Sequence, residues 1–467
     1  MSTAPVGLRS PHAIVIGGSL TALLAAQALS DTAHVTVIER DVLPEQPAPR
    51  KNLPQAHHVH LLWSGGADAI ETLLPGTEKA LAAAGARRIP LTTGMVGYSP
   101  AGWFRRWAES HYVIGCTRDL LDVVVRDQVL KSSGERITLR QGTDVIGLEG
   151  TAAAVTGVRI SGTDGIEETI SADMVFDASG RGSRTPHWLK ELGAPEPATR
   201  AVDPGLVYAS RIYQAPAELP ENWPIINVQA DPRGDGPGKA GVILPIEGNR
   251  WLVTLSGTRG GQPTDDPADF VDFALQLRHP IVGEILARTT PLTDVTVTRT
   301  TANRRRYYEK TAMPENLVVL GDAVAAFNPV YGHGMTVAAQ SAVTLQETIQ
   351  RHGWGTPRLA QRVQKAITPH VQTAWAFATG SDVFYPGATD TGPTFGERVS
   401  ARFVDRLIYT ATGSGRVARD LTDVVTMEAG PHTLGRPSTL IAVAIGPLKD
   451  KLEEPPFTPE ELQVLNG

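Results

Sequence analysis

The sequence predicts a mixed α/β fold: a parallel sheet wound with helices, interrupted by an antiparallel sheet and followed by a helical C-terminal region. Three observations predict it. An apolar run at 12–16 breaks at Gly17-Gly18, becomes a small-residue helix and is followed by a second apolar run at 35–38. Between about 200 and 300 the pattern changes to period-two alternation, as in Val207-Tyr-Ala-Ser-Arg-Ile-Tyr213. The chain then returns to an apolar run, Asn316-Leu-Val-Val-Leu-Gly321, and to a helical pattern from Gly334 to Gly353. The expected units are 10–200, 201–300, 301–355 and 356–467.

The first unit opens with His12-Ala-Ile-Val-Ile16, a buried strand, and Gly17-Gly18-Ser19-Leu20-Thr21-Ala22 sits where that strand turns into a helix. Ala22, Ala25 and Ala26 let the helix approach a sheet, and Val35-Thr-Val-Ile-Glu39 is the second strand, followed by Arg40. This is a Rossmann-like βαβ unit, in which a tight turn lets a pyrophosphate pass close to the backbone and meet the helix amides. Glu39 stands where an acidic residue accepts hydrogen bonds from a ribose. Ser19 and Ala22 replace two of the fingerprint glycines, and an ordinary α/β unit with a glycine turn is the alternative on this motif alone.

Further along, Thr117 opens a helix with Arg118 at its start, and Met174-Val-Phe-Asp177 is another buried strand. It runs into Asp177-Ala-Ser-Gly180-Arg181-Gly-Ser183-Arg184, whose carboxylate and arginines suit a diphosphate or a visiting nicotinamide nucleotide, or else form a solvated turn. The second unit contains Trp251-Leu-Val-Thr-Leu255 and one helix, with Asp266 expected as N-cap, Pro267 at the first position and Phe270, Phe273, Ala274 and Leu277 on one face. The returning strand ends at Gly321-Asp322. There a carboxylate can hold ribityl hydroxyls, and a loop containing Pro329, Gly332, His333, Gly334 and Met335 leads into a long helix whose N-terminus favours negative charge. Thr458-Pro459-Glu-Glu461 is a capping box near the end of the chain.

The turns at 17, 177 and 321 each fall at a strand's carboxyl end, where an open α/β sheet binds ligands. In order and wording they resemble the FAD-dependent monooxygenases of group A, the aromatic hydroxylase type, whose FAD-binding domain is interrupted by a substrate-binding sheet. Arg50-Lys51-Asn-Leu-Pro54-Gln55-Ala-His57-His58-Val-His60-Leu-Leu-Trp63-Ser64-Gly65-Gly66, together with Gly321 to Gly334, is similar to the branch containing the bacterial polyether epoxidases of the lasalocid and monensin pathways. The resemblance spans residues 12 to 380. It implies that Gly17, Gly18, Ser19, Ala22, Glu39 and Arg40 serve the adenosine diphosphate half of FAD. Arg118 would contact the ribityl-phosphate region, and Arg50 with Lys51 the pyrophosphate or ring edge. Asp177 and Gly180 correspond to the central Asp-Gly motif, and Asp322, Pro329, Gly332, His333, Gly334 and Met335 to the flavin loop. Ser179 and Thr336 depart from the family pattern.

The resemblance also implies cofactors FAD, NAD(P)H and O2, with reduced flavin holding a peroxide at C4a, so that no protein side chain is assigned as catalytic. The favoured substrate is an alkene of a lipophilic polyketide or terpenoid precursor, which would be epoxidised. The alternatives are hydroxylation of an aromatic polyketide and a flavin-binding protein without turnover. The isoprenoid-reductase signature Tyr-x-Trp-x-Phe-Pro and the halogenase signature Trp-x-Trp-x-Ile-Pro are both absent.

Composition narrows the rest. A chain of 467 residues with net charge −6 is not a nucleic-acid binder in the main, because phosphate binding needs a basic face. The single Cys116 excludes an internal disulfide framework and a thiolate zinc site, and is expected to be buried. His57, His58 and His60 have no second cluster to complete a metal site, so a flavin-flanking or packing role is expected. The opening nine residues lack the apolar core of a signal peptide and no apolar stretch is long enough to span a bilayer, so a cytoplasmic location is expected. Arg304-Arg305-Arg306-Tyr307-Tyr308 reads as a solvated or inter-domain stretch. Trp103 and Trp107 read as core or cavity wall, Phe384-Tyr385-Pro-Gly387 as a lid or plain loop, and Leu440-Ile-Ala-Val-Ala-Ile445 as a tunnel cover, a dimer contact or a membrane contact.

Overall fold

The computed structural model describes residues 10–466 apart from 221 and 300, so residues 1–9, read above for a leader, lie outside the described residues. Four strands, β1 (His12–Ile16), β2 (His34–Ile38), β3 (Ile137–Arg140) and β4 (Met174–Asp177), pair in parallel. The apolar runs of β1 and β4 are buried on both faces, as a parallel sheet covered on two sides requires, while the edge strand β3 buries only Ile137. One face carries α1 (Leu20–Ser30), α3 (Arg118–Ser133) and α4 (Gly334–His352), with α2 (Ser64–Leu73) packed on α4. The other carries a three-stranded antiparallel sheet, Thr143–Gly150, Val155–Gly162 and Glu167–Ser171.

After β4 the chain leaves to build a second sheet of seven strands. Its long central members are β5 (Val207–Gln214) and β6 (Arg250–Gly257), paired antiparallel over their whole length. The sheet continues through Lys239–Ile246 and Ile225–Val228 to Met95–Ser99 and Gly102–Trp103. The last two strands come from the stretch before 200, and Met95–Ser99 pairs in parallel, the one parallel pairing in this sheet among the described residues. The chain returns as β7 (Leu317–Val319), which pairs with β4 and completes the order β7-β4-β1-β2-β3.

Beyond α4 the chain is helical: α5 (Thr368–Asp382), α6 (Phe395–Gly413), α7 (Gly415–Val425) and α8 (Pro437–Ile445). The Thr458–Glu461 capping box forms in both directions, at 2.8 and 3.2 Å. Glu461 also pairs with Arg106 at 2.7 Å, and Phe457 stacks on Trp223, so the tail is fastened to the second sheet.

One expectation changes and two open readings narrow. The helix near 266 begins at Asp269, because the Asp266 carboxylate accepts from Ala268 N at 2.9 Å and closes a local turn before the helix. The Arg304–Arg306 run is not solvated: it lies in the strand Asn303–Arg306, where Arg305 pairs with Glu309 at 2.8 Å and Arg306 donates to the Ala323 carbonyl at 3.2 Å. Phe384–Gly387 is a packed turn, with Tyr385 buried and Arg259 donating to the Pro386 carbonyl at 3.0 Å.

Candidate cofactor and active site

The register of the parallel sheet brings the motif turns together. Ile16 stands opposite both Ile38 and Asp177, and Asp177 opposite Val319, so the four strand ends share one edge. Gly17 has φ +102°, and a Cβ there would lie 2.8 Å from the Ala178 carbonyl oxygen. The first turn therefore passes in contact with the Asp177 turn, and only glycine permits it. A Cβ on Gly321 would meet the Thr21 hydroxyl at 2.7 Å, which places the third turn against the start of α1.

Glu39 is buried at the end of β2, and its carboxylate accepts from Gly18 N at 2.6 Å and Asp41 N at 2.9 Å. Arg50 pairs with it at 3.0 Å and lies 3.9 Å from both Asp41 and Asp122. Arg118 is buried and donates to Asp122 at 2.6 Å and to Ser19 Oγ at 3.0 Å, aimed at the first turn of α1, so it is not a surface charge. The Thr117 hydroxyl caps α3 by accepting from Leu120 N, a contact worth ~1 kcal/mol that fixes where Arg118 emerges. Ala22 is buried in α1, whereas Arg40 and Lys51 are exposed.

Asp177 behaves differently from Asp322. Its carboxylate is wholly buried and accepts from Ser179 N and Oγ, Ser183 Oγ and Thr185 Oγ1 at 2.5 to 2.9 Å. It therefore builds its own turn, with Gly180 at φ +78°, and has no lone pair aimed at a ligand. Asp322 has no hydrogen-bond donor among the described residues. Desolvation raises its carboxyl above the usual range, against the opposing pull of Arg181, Arg118 and Arg304. It is open to hydroxyl donors beside α4, with a Cβ on Gly334 only 3.9 Å from Oδ1.

The loop between Asp322 and α4 is held by a buried polar network. Asp382, at the end of α5, accepts from Asn303 at 2.7 Å, Asn328 at 2.8 Å and the Tyr331 hydroxyl at 2.8 Å. Asn328 accepts from Tyr208 of β5 at 2.6 Å, so one network joins loop, second sheet and C-terminal helices. Pro329 begins the turn after Asn328, and Gly332 ends it in the left-handed region at φ +68°. His333 is buried, stacks on Phe377 at 4.9 Å and shares a 2.9 Å hydrogen bond with the Val425 carbonyl; burial lowers its pKa to about 4. Met335 packs its side chain into the core, leaving the first N–H groups of α4 as the donors at this end.

Three histidines precede Trp63. His58 is buried with Nδ1 2.7 Å from Ser210 Oγ, and burial, then His60 and His57, lower its pKa to about 3. His60 donates from Nδ1 to the His58 carbonyl at 2.8 Å; burial and then Arg118 lower it to about 4, so its Nε2 is an uncharged acceptor. Among the described residues no group of histidine, cysteine and carboxylate side chains could hold a metal ion. Burial pushes the Cys116 thiol far up, so no thiolate is available.

The residues fit FAD: a glycine cradle at Gly17, a buried guanidinium on Ser19, an unpartnered buried Nε on Arg50 and an open carboxylate at Asp322. The sequence reading missed Asp122, Asp382, Asn303 and Asn328. Only Asp122 carried a local signal, its i,i+4 spacing from Arg118.

The model of the FAD binding domain family matches residues 11–378. Protein Rv3254 of Mycobacterium tuberculosis is 33% identical over 401 residues, covering 83% of each chain. A flavoprotein/dehydrogenase from Cytophaga hutchinsonii has the same fold, with TM-score 0.65 and 13% identity over 92% of this chain and 96% of that one. So does the myxobacterial chondrochloren halogenase CndH, with TM-score 0.62 and 17% identity over 90% and 98%. Joined to the strand-end cradle, these matches place the molecule: the chain belongs to the FAD binding domain family.

Proposed function

We propose that the protein is a cytoplasmic monooxygenase that epoxidises an alkene in a lipophilic polyketide or terpenoid precursor. Alkene, O2, NAD(P)H and a proton become epoxide, NAD(P)+ and water. Bound FAD supplies the electrophilic oxygen. Ser19, Arg50, Arg118 and the first turn of α1 hold the pyrophosphate, Glu39 the ribose and Asp322 the ribityl hydroxyls. Gly332, Gly334 and the N-terminus of α4 approach the ring edge, where the helix end favours negative charge.

The observation that carries the reading is the apolar cluster beside Gly332. A Cβ on Gly332 would lie 3.2 Å from Trp63 Nε1 and 3.3 Å from Leu61 Cβ. Leu61 and Trp63 belong to one apolar cluster with Leu252 and Ile212 of the second sheet and with Val242, Met95 and Val425. Apolar surroundings of this kind exclude water and favour an alkene by dispersion. Burial lowers the pKa of the nearby histidines to about 3 to 4, so those rings are weak bases toward a phenol.

A second reading, hydroxylation of an aromatic polyketide, draws on the polar end of the same sheet face. There Ser210 and Thr254 hydrogen-bond at 2.6 Å, and His58 keeps an unpartnered, buried Nε2 that could meet a ring hydroxyl. The test is incubation of holoenzyme with NADPH and a trisubstituted alkene under isotopically labelled dioxygen. The proposal expects one labelled oxygen in an epoxide; unlabelled or merely reduced product rules it out, and label in a phenol but never in an alkene selects the second reading.

A further inference from the structure

The helix α8, Pro-Ser-Thr-Leu-Ile-Ala-Val-Ala-Ile, contains no charged residue and buries only Thr439 and Val443. On a water-soluble surface such a helix turns its apolar side inward; here Ile441 is 62% exposed, Ile445 67% and Leu448, just beyond, 76%. Arg406 of α6 donates to the Val443 and Ala444 carbonyls at 3.0 and 3.2 Å, which lays α6 beside this stripe. Along the same side of α6 stand Phe395, 80% exposed, and Val399 and Tyr409, each about half exposed.

The unpaired charges around this patch are mainly basic. Residues 395–449 hold seven basic and five acidic residues in a chain whose net charge is −6. Most of the carboxylates already have partners: Glu397 pairs with Arg200, Asp405 with Arg233, Asp420 accepts from Thr439, and Asp423 pairs with His111. Arg398, Arg402 and Arg436 are exposed and have no ion-pair partner among the described residues. An apolar helix lying flat within a rim of unpaired arginines is the chemistry of an anionic bilayer surface: side chains enter the acyl boundary while guanidinium groups meet headgroup phosphates. Among the described residues no helix is long and apolar enough to cross a membrane, and the contact inferred is peripheral.

We infer that α8 and the adjoining side of α6 form a docking surface for an anionic lipid bilayer. The surface communicates with the candidate site through α7, which packs against α8 and whose last turn supplies the Val425 carbonyl to His333. Delivery of a lipophilic substrate from the bilayer rests on the proposed epoxidation, but vesicle binding is measured without turnover and stands or falls separately.

The test is co-sedimentation of the FAD-loaded full chain with vesicles of phosphatidylcholine alone or mixed equally with phosphatidylglycerol. Binding is expected to the mixed vesicles and to weaken with salt. The double change Ile441→Asp and Ile445→Asp is expected to reduce it by at least about tenfold, with the melting temperature unchanged because both side chains are already in water. Arg398→Glu with Arg402→Glu should remove the preference for phosphatidylglycerol. Failure to bind mixed vesicles, or binding that survives both double changes, overturns the inference. So does a wild-type dimer that Ile441→Asp with Ile445→Asp converts to monomer, since the face would then be a contact between copies.

Discussion

Arg118 donates to Ser19 Oγ at 3.0 Å, joining the start of α3 to the first turn of α1 across a sequence separation of 99 residues. The same guanidinium is held by Asp122 at 2.6 Å, one turn further along α3. A buried positive charge is thus fixed where the α1 amides are aimed, and both would act on one pyrophosphate.

Arg118→Ala removes one charge-assisted donor from that site, worth about 1.5–3 kcal/mol. FAD affinity should fall roughly tenfold to a hundredfold, read by fluorescence titration of the apoprotein. Arg118→Lys keeps the charge but loses the fixed fork and should fall between wild type and alanine. Equal affinity in all three would remove Arg118 from the cofactor site.

Gly17→Ala places a Cβ 2.8 Å from the Ala178 carbonyl at a φ of +102°. Strain and clash together should cost about 2 kcal/mol or more, seen as a lower denaturation midpoint and weaker FAD binding. A variant as stable as wild type would show that the two turns do not touch as described.

Asp382→Ala leaves the Asn303, Asn328 and Tyr331 donors without an acceptor in a buried site. The expected loss is about 3 kcal/mol or more, measured by urea unfolding. Asp382→Asn retains one acceptor oxygen and should lose less. A loss under about 0.5 kcal/mol for alanine, the size of an ordinary surface change, would contradict the network.

The buried histidines set a pH dependence. His58 titrates at about 3 and His60 and His333 at about 4 in the folded chain, against 6.5 when unfolded. Between these values the unfolded state binds more protons, so stability rises with pH through this window and levels off above about pH 7. Going down from pH 6.5, each histidine should cost up to about 1.4 kcal/mol per pH unit, countable as proton uptake on unfolding. Stability that climbs as pH falls from 7 to 5 would refute the neutral, buried assignment.

The cofactor half of the fold was legible because its signals are local. An apolar run, a glycine turn and an acidic residue identify β1, α1 and Glu39 within a single βαβ unit, and Asp322 is marked by the strand before it and the helix after it. What was not legible depends on distant partners. Asp382 and Asn303 lie 79 residues apart, and neither shows in sequence that they share a hydrogen bond. Arg304–Arg306 reads as solvated or inter-domain because three like charges ordinarily are; its burial depends on Glu309 and on backbone carbonyls supplied by the fold. Asp177 reads as a ligand group or part of a solvated turn because it ends a strand, yet four local donors consume its carboxylate.

We propose that the turns after β1, β4 and β7 form one FAD site governed by Arg118 and Asp322. Equilibrium titration of the apoprotein with FAD tests it most directly, comparing wild type with Arg118→Ala, Asp322→Ala and the remote control Arg278→Ala, whose side chain lies on the second sheet over Tyr98. One FAD per chain is expected, bound more weakly after the first two changes and unaltered after the third. Tight FAD binding indifferent to both Arg118 and Asp322 would contradict it.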